Sequence, residues 1–337
     1  MLCKASAAAF VIVSALLLIL LYRMIHNVPS PKGSPARPTF HLQLVVLTAD
    51  RPDSLERLLA SIRAAHYDGD DVTLRICADF PRNASRRPEH EACVRAAKGF
   101  TFAHGAPTVV VHARNVGMYA QWYDCWQQTD RPGHYAVIIE DDLELSPFFY
   151  RWLKAAVQFY ADDASVFSVA LQRGGLVARD GTAKDICSTC ADPVFAYRLF
   201  ASLGAAPLPR HWRPFREWVH TVSQPDGSGD FVPYVPNETL ITNKWVGVAH
   251  VQRRTMPTSY LIYYMWQHGL YTVYPRLPGH SAFVCDHREI GMNFQKKVNT
   301  TGICDSSLVS HWDPEYIKFP RRPVRIGWDG IPELRQD

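Results

Sequence analysis

The chain has 337 residues, room for one large α/β domain or two ordinary ones. Apolar residues make up 47%, charged residues 20% and aromatics 12%, which excludes disorder or coiled coil as the main theme. With 36 basic against 32 acidic side chains the formal charge is only +4, so there is no case for a nucleic-acid binder.

Ala5 to Tyr22 carries no charge, and as a helix it would span about 27 Å, enough for a thin bilayer such as that of the ER. A cleaved signal peptide is the rival reading. The apolar run is longer than a usual h-region, and Leu17 to Tyr22 offers no small-residue cleavage site, so an uncleaved anchor is favoured. Residues 1–4 then form a cytosolic tail, 5–22 the anchor and 23–40 a stem. Within the stem, NVPSPKGSPARPT holds four prolines and no large apolar residue, the mark of an extended spacer. Lys4 on one side and Arg23 and His26 on the other leave the charge rule undecided. So short a head places residues 41–337 beyond the membrane, as in a single-pass type II protein of the Golgi or ER. Sequons at Asn83, Asn237 and Asn299 support a lumenal domain weakly. Seven cysteines lie beyond the anchor, so one is unpaired or could link two copies as a homodimer. Cys187 and Cys190 read as a loop disulfide or unrelated thiols in preference to half a zinc site, because no second Cys or His pair follows.

The folded part opens with His41 to Leu47, a buried-strand run. A helix with Leu55, Leu58, Leu59 and Ile62 on one face follows, capped by Asp53 or Ser54. Strands are expected over 72–77, 108–112 and 135–139, with helices over 89–99 and 117–128 between them. Strand and helix alternate as in a doubly wound, mostly parallel sheet flanked by helices. Ligands in such sheets bind beyond the carboxyl ends of the strands. Those ends carry Thr48, Asp50 and Arg51, then Asp79, then Asn115 and Gly117, then Glu140, Asp141 and Asp142.

The acidic triplet is the most informative feature. Three carboxylates directly after a buried strand repel one another and are costly near a low-dielectric sheet. A hard divalent cation, Mn²⁺ or Mg²⁺, relieves that repulsion. Asp142 is the expected metal ligand, while Glu140 and Asp141 face sugar or ribose hydroxyls. The bland alternative is an acidic loop start that caps the next helix.

Tyr135 to Phe149, YAVIIEDDLELSPFF, resembles the metal-binding segment of N-acetylglucosaminyltransferase I and its relatives. LVVLTADRP, residues 44–52, resembles the opening strand and turn of that group and of glycosyltransferase family 2-like proteins. Asn115-Val-Gly117 with Gln121-Trp122 resembles a nucleotide-side segment of the latter. The likeness runs patchily from about residue 42 to about 292; in the second half it rests on Leu203-Gly-Ala, Trp212 to Trp218, Tyr271 to Pro275 and His287 to Gly291. It implies the GT-A fold, with a nucleotide-sugar half over 41–150 and an acceptor half over 151–337. It also implies a nucleotide-sugar donor, a glycan or glycoconjugate acceptor and a Mn²⁺ or Mg²⁺ cofactor. Residue by residue, it sets the base and ribose against Thr48, Arg51 and Asp79, the diphosphate or ribose beside Asn115 and Gly117, and the metal on Asp142. Thr48 and Asn115 could instead cap helices, and Asp79 could close a turn before Pro81.

Inverting transfer needs a base for the acceptor hydroxyl. Glu217, in Phe215-Arg-Glu-Trp218, resembles the family's acidic residue, one place out of register. It is equally well read as a surface glutamate on an amphipathic helix that packs Trp212, Phe215 and Trp218 inward. Asp226 and Asp230 are the reserve candidates. The resemblance also offers His287 for the metal or the diphosphate. Trp245, Tyr260, Tyr263, Tyr264, Trp266 and Tyr271 could stack on acceptor sugars, although helical spacing favours a core role. Two other classes stay open: a GT-A-like membrane protein that binds glycans or acts as a chaperone without transfer, and a metal-dependent phosphatase or nuclease. The phosphatase or nuclease expects further Asp and His ligands at fixed spacing, which the sequence after Asp142 lacks.

Overall fold

The computed structural model describes residues 39–126, 128, 131–223, 231–248, 256–289 and 304–334. The tail, the anchor over 5–22, nearly all of the stem, Asn299, Asp226 and Asp230 lie outside these, as does the Trp245 side chain. No helix among the described residues is long and apolar enough to cross a membrane.

The alternation expected over the first half is present: β1 (His41–Thr48), α1 (Pro52–Ala64), β2 (Val72–Ala78), α2 (Arg87–Gly99), β3 (Thr108–Val111), α3 (Gly117–Asp124) and β4 (His134–Glu140). The short β5 (Leu143–Leu145) and α4 (Phe149–Tyr160) follow, then β6 (Val166–Ala170), β7 (Val194–Tyr197), β8 (Ala205–Pro207) and α5 (Pro209–Val222). The rest is α6 (Ile241–Val248), α7 (Thr258–Gln267), β9 (Tyr271–Pro275), β10 (Ser281–Ala282), β11 (Val284–Asp286), β12 (Ser307–Leu308) and β13 (Val324–Ile326).

Two local expectations change. The first helix starts at Pro52, whose missing N–H is no loss in a first turn, so Asp53 and Ser54 lie inside it instead of capping it. The Ser54 hydroxyl donates to Glu289 instead. Helix α3 ends at Asp124, short of Gln128, and the next residue, Cys125, is bonded to Cys77 on β2.

Among the described residues, nine strands form one sheet in the order β13-β7-β9-β6-β8-β4-β1-β2-β3. β1 pairs in parallel with β2 and β4, and β2 with β3. β8 lies antiparallel between β4 and β6, so the sheet runs unbroken from residues 41–150 into 151–337. Alternate residues serve opposite faces. Leu42, Leu44, Val46, Val137 and Ile139 pack with α1, α2 and α4, whereas Val45, Leu47, Ala136 and Ile138 pack with α3, α5 and α7. Burial on both faces explains why these strands read as continuous apolar runs.

Cysteines pair as Cys77–Cys125, Cys187–Cys190 and Cys285–Cys304. The Cys187–Cys190 bond settles that motif as a loop disulfide. Cys93 is free but has no exposed surface on α2, and burial pushes its thiol up to about 11. The one unpaired cysteine beyond the anchor therefore lies in the core and not at the surface, where the expected link between two copies would need it. Of the late aromatics, Tyr260, Tyr264 and Tyr271 are core, and Tyr263 lies flat against Trp218 with ring centroids 5.8 Å apart.

Candidate active site

Strands β1, β2, β3 and β4 end side by side. The parallel register sets Thr48 beside Ala78, Ala78 beside Val111 and Leu47 beside Glu140. Beyond these ends lies a cleft of about 300 Å³, lined by Thr48, Arg51, Asp79, Asn115, Gly117, Glu140 and Asp141 together with Phe80, Pro81, Arg82, Asn83, Met118, Gln121 and Trp122. All seven residues expected to hold a nucleotide sugar therefore converge on one cavity. Asp142, His287 and Glu217 are not among the lining residues.

The acidic turn is held from three sides. The Thr48 hydroxyl donates to Asp141 at 2.7 Å, and Trp122 Nε1 donates to Glu140 at 3.1 Å. Arg51 donates through Nη1 to Asp142 at 2.8 Å and through Nη2 to Asp141. Burial pushes the Glu140 carboxyl up to about 8, with the Asp142 charge adding to it and Arg51 opposing. Burial raises Asp141 to about 6 against the pull of Arg51. For Arg51 itself burial favours losing the proton, but Asp141 and Asp142 more than reverse this and hold it charged.

Asp286 joins this group from β11, where it sits opposite Leu143. Burial raises it to about 6; the Arg288 backbone N–H opposes, and the Asp142 charge adds. Sequence reasoning missed Asp286, although its neighbours Cys285 and His287 drew attention to the segment.

Asp141 and Asp142 thus share one guanidinium, and Glu140 adds a third carboxylate beside them, a run of hard oxygens. That set fits Mn²⁺ or Mg²⁺. Of the two acids bonded to Arg51, Asp142 is the more exposed, with 15% of its side chain accessible against 2% for Asp141.

Asp79 has a different part. Its Oδ1 accepts from the Phe80 and Val116 backbone N–H groups, both at 2.8 Å. Its Oδ2 accepts from Gly117 N–H at 2.9 Å and Asn115 Nδ2 at 3.0 Å. A carboxylate offers about four lone-pair sites, and all are taken. Asp79 thereby fixes the turn from Asn115 to Gly117, where Gly117 has φ 78°, a conformation that favours glycine. The turn it holds is this distant one, not the turn before Pro81 that the sequence suggested.

His287 lies on the other side of the acidic turn. Its backbone N–H donates to the Asp142 carbonyl at 3.1 Å, and its Nε2 lies 2.8 Å from a Glu144 carboxylate oxygen. The backbone of His287 is therefore bonded to the acidic turn, while its imidazole is tied to Glu144 through Nε2 and leaves Nδ1 as the other ring nitrogen. Cys285 and Cys304 also lie near it, but they are bonded to each other and offer no thiolate. Two residues on, Glu289 bonds Ser54 and Arg57 and docks this late segment on α1. No periodicity or motif could have signalled that contact.

Glu217 is exposed. The buried row on α5 is Trp212, Phe215 and Val219, and at about 100° per residue Glu217 points almost directly away from it. That placement is the one expected of a surface glutamate. Glu217→Gln should leave both turnover and melting temperature close to wild type, as an exposed substitution does. A fall of about 10²-fold or more in transfer would restore the base assignment.

No protein-family model matches the sequence, and no curated protein does. Among solved structures, the chain is similar to the mannosyltransferase PcManGT from Pyrobaculum calidifontis in complex with GDP-Man and Mn²⁺, at 16% identity and a TM-score of 0.36 over 63% of this chain and 57% of that one. It is also similar to GalNAc-T7 with UDP, GalNAc and Mn²⁺, at 11% identity and a TM-score of 0.42 over 72% and 43%. A third likeness is to S. aureus TarS in complex with UDP-GlcNAc, at 14% identity and a TM-score of 0.29 over 44% and 38%. The matched part spans less than two thirds of each of these proteins. Likenesses this weak carry no function to this chain, and the cleft is the feature that bears on it.

Proposed function

We propose that the chain is a GT-A-type glycosyltransferase that moves a hexose or N-acetylhexosamine, with inversion, from a nucleotide sugar to a glycan or glycoconjugate acceptor. A UDP-sugar is the proposed donor. The observation that supports this is the convergence of Thr48, Arg51, Asn115, Gly117, Glu140 and Asp141 on one cleft that ends at a metal-fitting acidic turn. Asp142 would hold Mn²⁺ or Mg²⁺, with His287 Nδ1 as its neighbour on the far side. A cation there supplies positive charge for a leaving diphosphate. The protein's own groups do the rest: Asp79 fixes the Asn115–Gly117 turn, Trp122 fixes Glu140, and Thr48 and Arg51 orient Asp141.

The test is a panel of UDP-, GDP- and CMP-sugars offered to the full chain in detergent with Mn²⁺ and glycan acceptors. Release of nucleotide that requires both metal and acceptor is expected. Glycan binding with no turnover on any donor would favour the inactive, lectin-like alternative.

The type II topology in a Golgi or ER membrane, with the domain lumenal, belongs to the same proposal. Three disulfides fit an oxidising compartment. Asn237 is exposed in a turn, whereas Asn83 lines the cleft, where a glycan would crowd the donor. Endoglycosidase treatment of protein from native membranes should shift its mass, and Asn237→Gln should remove part of that shift. Protein that shows no shift would sink the topology.

A further inference from the structure

Among the described residues, one buried polar side chain lining the cleft has no hydrogen-bond partner. Gln121 lies on α3, is only 5% exposed and lines the cavity, and neither its Nε2 nor its Oε1 has a hydrogen-bond partner. A buried amide left unpaired is destabilising, and an apolar side chain of the same length would serve packing better. Its buried neighbours in the cleft are committed: Thr48 to Asp141, Trp122 to Glu140, and Asp79 to Phe80 and the three donors of the Asn115–Gly117 turn. Both amide atoms are buried, so a turn of the side chain is what would bring this open pair to a ligand in the cleft.

Chemistry narrows the ligand. A primary amide presents one donor and one acceptor in a single plane, and it pairs in two parallel bonds with an edge that offers an acceptor beside a donor. Nucleobases present such edges; a sugar's hydroxyls do not lie in one plane. The surroundings agree. Met118 and Trp122 flank Gln121 on the same helix, and Leu47, Phe80 and Pro81 line the same cavity. Such apolar walls suit the faces of a flat ring. The acidic turn, by contrast, marks the end where the diphosphate belongs. On the nucleotide-sugar reading of this cleft, we propose that Gln121 is the specificity-determining residue that grips the polar edge of the donor's nucleobase. Asp79, which the family resemblance set against the base, is instead the positioning residue for the loop beside it.

The test compares the full chain with Gln121→Met, which keeps length without polarity, and with Gln121→Leu as a second shape. Binding of UDP, GDP, ADP and CDP is measured with Mn²⁺ by calorimetry, with inorganic pyrophosphate as the base-free control, and melting temperature is followed without ligand. The variants should bind the preferred nucleotide about 10- to 100-fold more weakly, the effect of leaving a base's polar edge unpaired. Pyrophosphate binding should be unchanged, and ligand-free melting temperature equal or higher. Unchanged nucleotide affinity overturns the assignment, and so does a parallel loss of pyrophosphate binding. A lower melting temperature in both variants overturns it too, since Gln121 would then be a structural contact. Wild type that binds none of the four nucleotides would overturn the nucleotide-sugar reading itself, whereas wild-type binding matched by both variants removes only the role of Gln121.

Discussion

Asp142→Asn should abolish metal-dependent transfer while leaving a folded protein. The substitution keeps shape and removes the one charge in the acidic turn that is both partly exposed and bonded to Arg51. Loss of a few kcal/mol of leaving-group stabilisation lowers turnover by about two or more orders of magnitude. Melting temperature should change little, because a neutral amide can still accept from Arg51 Nη1. Mn²⁺ should raise the melting temperature of wild type and not of the variant, an independent readout of where the ion binds. A variant that turns over normally in EDTA would mean that the triplet is a structural acid cluster.

The parallel sheet was legible because β1, β2 and β4 are buried on both faces and so read as apolar runs, and because polar clusters follow them directly. The convergence of Thr48, Arg51, Asn115 and Glu140 follows from that register alone. What stayed hidden depends on contacts across long separations. Asp286 reaches the triplet through the pairing of β11 with β5, and Glu289 reaches α1 across more than two hundred residues. Glu217 shows the converse: a short motif suggested chemistry, but helical periodicity, with Trp212, Phe215 and Val219 facing in, already pointed its side chain outward. Cys93 could not be singled out from its neighbours, since which cysteine stays unpaired is decided by distance and not by spacing.

Arg51→Met should destabilise the protein in a pH-dependent way that a divalent cation reverses. Arg51 is the cation that bonds Asp141 and Asp142, and it opposes the shift of Glu140. Removing one partner from a largely buried ion pair costs about 3 to 5 kcal/mol when the remaining charge cannot reach water; here part of the site is open, so the lower end applies. The sign follows from the two raised carboxyls. Glu140 and Asp141 hold their protons to higher pH when folded, so the stability they contribute is complete below the usual carboxylate range. It is lost as pH rises through about 6 for Asp141 and about 8 for Glu140. Methionine at position 51 withdraws the charge that opposes both shifts, which deepens the loss over that window. The gap in melting temperature between wild type and variant should therefore be small near the acid end and largest above the Glu140 value. Mn²⁺ or Mg²⁺ should narrow it there and have little effect at acid pH, because protonated carboxyls neither repel one another nor bind the ion. A gap that is constant with pH would mean that Arg51 acts through packing of its methylene stem, and a gap that no divalent cation narrows would count against a metal at this turn.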